Sequence, residues 1–163
     1  MKLVPIVHSI HLPQPLYLAD LSPTVCQIAL AIDHIPAGFP SPAQGYAVNY
    51  LDFNQYLISN AAATIAVYCG GDSMVDLGIA KNDLLVIDRS VTPSHRDIVM
   101  ADVGNEYTIK QLWLGTDGSV ELHSANREAA YPPLRFEEGD QLVIVGVVMH
   151  VIKRMKASRW CLP

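Results

Sequence analysis

Nothing in this chain is long and apolar enough for a bilayer, its cysteines form no paired motif, and its charges are sparse. The most apolar run, Leu142 to Met149, has eight residues, against about 20 for a membrane-spanning helix. Its valines read instead as a buried strand. No charged-then-apolar leader opens the chain, and Pro5, Pro13 and Pro15 interrupt its start, so a soluble, cytoplasmic protein is expected. Cys26, Cys69 and Cys161 make no C-x-x-C pair and leave one over; reduced thiols fit best. The charged fraction is 17% and the net charge −5, which argues against nonspecific DNA binding through the whole surface. There is no internal repeat, no low-complexity tract and no G-x-S-x-G elbow. His8 and His11 have a metal-compatible spacing, but two imidazoles on an irregular arm make no site, so neither metal nor cofactor is expected.

Half of the 163 residues are hydrophobic, which excludes a disordered chain. The length suits one domain that buries about 70% of its unfolded surface. Residues 1–37 carry five prolines, which leave no room for a long helix; they read as an arm without its own core. Within it, Thr24 to Ile32 fits a short helix or an extended segment equally well. Residues 38–45 form a linker in which Pro40 and Pro42, like Pro36 before it, push the residues ahead of them toward extended geometry. Residues 46–155 read as the globular part. Asp52 and Gln55 resemble a capping box for a short helix with Phe53, Tyr56 and Leu57 facing inward. From residue 63 the pattern turns to β, with strands expected at 64–68, 83–88, 97–103, 106–114, 120–123 and 141–152. Residues 156–163 end the chain as a basic tail. Four of the eleven basic residues, Lys153, Arg154, Lys156 and Arg159, crowd this end; a solvated tail is the plain reading, contact with an acidic partner or nucleic acid the other.

The chemistry concentrates at Gly71-Asp72-Ser73-Met74 and at Lys110, 37 residues after Ser73. A serine is a weak nucleophile until a neighbour takes its proton. A lysine can do so only when neutral, so its ordinary pKa near 10.4 must come down to about 7, a cost of about 4 kcal/mol in a dry site. In Glu106-Tyr107-Thr108-Ile109-Lys110-Gln111-Leu112-Trp113-Leu114, alternation puts Lys110 on the face of Thr108, Leu112 and Leu114. Locally, a turn serine and a solvent-facing strand lysine explain the same residues.

A third stretch decides between them. Ala37-Gly38-Phe39-Pro40-Ser41-Pro42-Ala43 lies 35 residues before the serine turn, counted from Gly38 to Ser73. With Gly71-Asp72-Ser73-Met74, Ser94-His95, Asp97-Ile98-Val99, Tyr107-Thr108-Ile109-Lys110 and Gly146-Val147-Val148-Met149-His150-Val151, the chain resembles the self-cleaving LexA and UmuD-type proteins, UmuD most closely, over about residues 37–155. The resemblance implies a mainly β fold with a strongly bent sheet and an extended N-terminal arm. It implies a serine peptidase in which Lys110 activates Ser73, the backbone N–H groups of Asp72 and Ser73 form an oxyanion hole, and the bond between Ala37 and Gly38 is cut. It further implies an SOS-response factor whose self-cleavage is promoted by a RecA filament. The shortened homodimer then serves a Y-family translesion DNA polymerase and meets DNA only indirectly.

Pro36 departs from the pattern by removing a backbone donor beside the scissile bond. The proline-broken residues before Gly38 are too irregular for a helix-turn-helix module, which separates this chain from LexA-like repressors. Other readings are a LexA-like regulator without a DNA-binding domain, a signal-peptidase relative, which the missing anchor disfavours, and a non-cleaving dimeric module with a vestigial dyad. A Ser-His-Asp triad through His95 is a further rival, but His95 reads better as a turn residue and His150 as a hydrogen-bonded strand residue.

Overall fold

The computed structural model describes residues 25, 27–31, 48–129, 131–137 and 139–155. The chain forms β1 (Gln27–Ala31), β2 (Val48–Asp52), α1 (Phe53–Leu57), β3 (Thr64–Tyr68), a 3-10 turn (Val75–Leu77), β4 (Leu84–Asp88), β5 (Ile98–Val103), β6 (Glu106–Leu114), β7 (Val120–His123), β8 (Leu134–Phe136) and β9 (Leu142–Ile152). It is mainly β, as expected, and every strand pairing is antiparallel. The six strands read from alternation are all present, each starting within one residue of the expected position.

Seven strands make one sheet in the order β3-β4-β9-β5-β6-β7-β8. The valine-rich β9 lies between β4 and β5, inside the sheet. Alternate residues of β5 feed two cores. Met100 joins Ile65, Cys69, Met74, Ile79, Leu85, Ile87 and Val145, while Val99 and Ala101 join Leu112, Val120, Leu122 and Val147. The register of β9 slips against β4 between Val86 and Ile87 and against β5 between Met100 and Ala101. Each slip leaves one residue of β9 without a partner, Met149 and Val145 respectively, and such bulges bend a strand and steepen its twist.

Three expectations need correction. Gln27–Ala31, inside the expected arm, is a strand paired with β2, Ala31 opposite Val48, which settles the open choice for that segment. And α1 has no inward face. Asp52 caps it by accepting from the N–H of Asn54 at 2.8 Å, but Phe53 is 49% and Tyr56 61% exposed and no helix residue is buried. The amphipathic spacing was real, yet five residues make little more than one turn, too short to bury a side chain. Nor is Lys153 simply solvated: its ammonium pairs with the carboxylate of Asp83 at the start of β4. The linker 38–45, His8, His11, Cys26, Cys161, Lys156 and Arg159 lie outside the described residues. Among those described, no helix is long and apolar enough to cross a membrane.

Gly146 fixes how closely β9 approaches β4. A Cβ there would meet the carbonyl oxygen of Asp88 and Cγ2 of Ile87, both at 2.8 Å. Gly146→Ala is therefore expected to destabilise by about 1–3 kcal/mol and to lower the melting temperature by several degrees. Gly70→Ala, where an added methyl meets nothing within 4 Å, should leave it nearly unchanged.

Candidate active site

The serine turn is held by what flanks it. After β3 the chain passes through Cys69, Gly70 and Gly71 and drops Met74 and Ile79 into the core, 1% and 0% exposed. Those two residues bridge each other, with the Ile79 N–H on the Met74 carbonyl at 3.2 Å. Gly78, at φ +78°, supplies the left-handed step that lets the short loop close. Asp72 is a turn residue: its Oδ1 accepts from the Lys81 N–H at 3.3 Å. A second segment grips the turn from outside. The Ala125 N–H donates to the Ser73 carbonyl at 2.7 Å, the Asp76 N–H to the Ala125 carbonyl at 2.9 Å, and the Asn126 side-chain amide to the Asp72 carbonyl at 2.8 Å.

Lys110 comes from β6. Its register neighbour on β5 is Val99, and Leu112 faces Leu122 on β7; all three are fully buried. Alternation thus lays the lysine stem along an apolar row, and the half-buried side chain ends with Nζ 2.7 Å from Ser73 Oγ. Burial pushes the Lys110 amine below its ordinary value of 10.5, and the nearby Cys69 thiol opposes this only in part. The ring of Tyr131 lies 5.9 Å from Nζ, a contact that favours the charged amine.

A cleft of about 310 Å³ opens at this contact, lined by Val67, Tyr68, Cys69, Gly70, Gly71 and Ser73 on one side and Met100, Tyr107, Thr108 and Ile109 on the other. Among the described residues, both walls offer unpaired backbone. β3 is an edge of the sheet, and β7 covers β6 only from Gln111 to Leu114, leaving Glu106–Lys110 open on that side. Unpaired strand edges are what an extended peptide binds.

The structure thus joins Ser73, Asp72 and Lys110. Ala37 and Gly38 lie outside the described residues. His95 does not reach Ser73: its Nδ1 accepts from the Leu114 N–H at 3.0 Å and its ring meets Trp113 edge-on. His150 rests its ring against Tyr56 with centroids 5.8 Å apart. Among the described residues no three His, Cys, Asp or Glu side chains gather as metal ligands. Sequence reading missed Tyr131, Cys69 and Asn126 as neighbours of the site; none carries a local signal, since each arrives by tertiary packing.

Comparison with known proteins agrees with this arrangement. Residues 30–149 match the Peptidase S24-like family. The chain is 42% identical over 130 residues to Protein ImpA of Salmonella typhimurium, covering 80% of this chain and 86% of that protein. It is 38% identical over 139 residues to Protein SamA of the same species, covering 85% and 94%. Protein MucA of Escherichia coli shares 44% over 90 residues, 55% of this chain and 62% of its own. The chain belongs to the Peptidase S24-like family, as a UmuD-type member of the LexA and UmuD proteins.

Proposed function

We propose that this protein is an autoproteolytic serine peptidase that cuts its own chain between Ala37 and Gly38. The observation that carries the reading is the 2.7 Å contact between Ser73 Oγ and an amine whose pKa is depressed by burial. Neutral Lys110 accepts the hydroxyl proton as Oγ bonds to the Ala37 carbonyl carbon. The N–H groups of Asp72 and Ser73 receive the oxyanion; such donors typically contribute a few kcal/mol to lowering the barrier. The C–N bond then breaks, the Lys110 ammonium returns its proton to the Gly38 nitrogen, and water hydrolyses the acyl-enzyme to leave the Ala37 carboxylate.

Family membership supports the biological setting. In it, a RecA filament promotes cleavage during the SOS response, and the cut protein acts in the cytoplasm as a homodimer with a Y-family polymerase in translesion synthesis. In this reading, residues 1–37 are the arm, 38–45 the cleavage-site linker, 46–155 the peptidase-like domain and 156–163 the basic tail. The position of the cut gives the event a physical consequence. β1 precedes it and β2 follows it, while the whole seven-stranded sheet, residues 64–152, lies after it. Losing residues 1–37 takes β1 off β2 and bares a strand edge, a ready surface for a new partner, without touching the core.

Cleavage should accelerate as pH rises and level off below 10.5, because the reactive form is the neutral amine. Incubating the purified chain from pH 7 to pH 10 and measuring a 126-residue product checks this. Ser73→Ala and Lys110→Ala should each slow it by about a thousandfold or more. An intact wild-type chain at every pH, even with a RecA filament present, would instead favour a non-cleaving binding module.

The same amine sets a stability signature. Its folded pKa lies below the unfolded one, so the folded state carries a penalty at neutral pH that fades as pH rises toward 10.5. In a Ser73→Ala background, which keeps the chain intact, Lys110→Met should raise the melting temperature at pH 7. The gain should vanish near pH 10.5.

A further inference from the structure

The backbone of the serine turn is held at three consecutive carbonyls. Cys69 Sγ donates to the Gly71 carbonyl at 3.2 Å, Asn126 Nδ2 to the Asp72 carbonyl at 2.8 Å, and the Ala125 N–H to the Ser73 carbonyl at 2.7 Å. A trans peptide unit is planar, with its C=O and N–H pointing in opposite directions. Gripping a carbonyl therefore aims the N–H of the next residue. The Gly71 carbonyl shares its plane with the Asp72 N–H, and the Asp72 carbonyl shares its plane with the Ser73 N–H. Among the described residues, neither N–H meets a protein acceptor.

We propose that Asn126 and Cys69 are positioning residues that set the oxyanion hole, Asn126 by aiming the Ser73 N–H and Cys69 by aiming the Asp72 N–H. The inference rests on the reading above that these two N–H groups receive the oxyanion. Neither side chain touches the reacting atoms; each acts through the peptide plane it holds. A donor exerts its full effect only at about 2.7–3.1 Å from the developing oxyanion, and two glycines precede Asp72 in this turn, so the planes need outside support. Asn126 is well placed to give it. Its Oδ1 accepts from the N–H groups of Glu128 and Ala129 at 3.0 and 3.1 Å, which pins the side chain while Nδ2 holds the turn.

That division of labour yields a clean test. Asn126→Asp keeps the acceptor that caps residues 128 and 129 and replaces the donor to Asp72 with a charged acceptor. Self-cleavage of the full chain is followed on the alkaline plateau, where Lys110 is neutral in every variant, beside melting temperatures. Asn126→Asp should cut the plateau rate by about tenfold or more while the melting temperature stays within about 2 °C. Cys69→Ala should also slow the plateau, and Cys69→Ser, which retains a donor, should restore it. A purely structural role would move melting temperature and rate together and would not separate serine from alanine at position 69. If Asn126→Asp fails to fold, the Cys69 pair decides.

Wild type and Ser73→Ala run in parallel. If wild type cleaves, Ser73→Ala does not, and Asn126→Asp matches the wild-type plateau, the positioning role is overturned and the peptidase reading stands. If wild type stays intact at every pH, that reading fails and takes the positioning role with it.

Discussion

One contact organises this molecule: an amine kept from water beside a hydroxyl that lies at the end of a rigid loop. Neither half works alone. The apolar row of Val99, Leu112 and Leu122 carries the lysine inward, and desolvation makes its charged form costly. The serine is brought to it by Met74 and Ile79, whose complete burial anchors the turn to the core. The sheet therefore does more than fold the chain. It fixes two groups 37 residues apart in sequence at hydrogen-bond distance, so the orientation entropy of their encounter is spent in folding rather than in the reaction.

The energetic tension in this arrangement is local. A lysine beside buried valine and leucine destabilises the fold at neutral pH, and the surrounding structure absorbs that cost through dense packing on both faces of β5 and β9. Two β-bulges and one glycine let β9 bend between its neighbours without opening the core. The nearby Cys69 opposes the lowering of the Lys110 pKa without reversing it.

Much of this was legible in the amino-acid sequence, and for definable reasons. Strands β3 to β7 and β9 could be read because at least one face of each is buried, so burial writes the period of two into the residues. Strands β1 and β8 could not: Gln27–Leu30 and Leu134–Phe136 are largely exposed and are held by a neighbouring strand's backbone, which leaves no pattern in the side chains. The helix at Phe53–Leu57 was found by its cap, but its face was misread, since periodicity shows that a face exists and not that a core lies against it. The meeting of Ser73 and Lys110 was foreseen through family resemblance; alternation alone gave only the lysine's apolar surroundings. Asn126 was invisible because its partner Asp72 is 54 residues away.

The central claim is that Lys110 is neutral over a pH range where an ordinary lysine is charged. A ¹³C NMR titration of the Lys110 side chain, in the full-length chain held intact by Ser73→Ala, reads this directly. The account predicts a midpoint clearly below 10.5, distinct from those of the exposed lysines. A midpoint at or above 10.5 would contradict it, because no base would then exist to activate the serine at the pH of the cell.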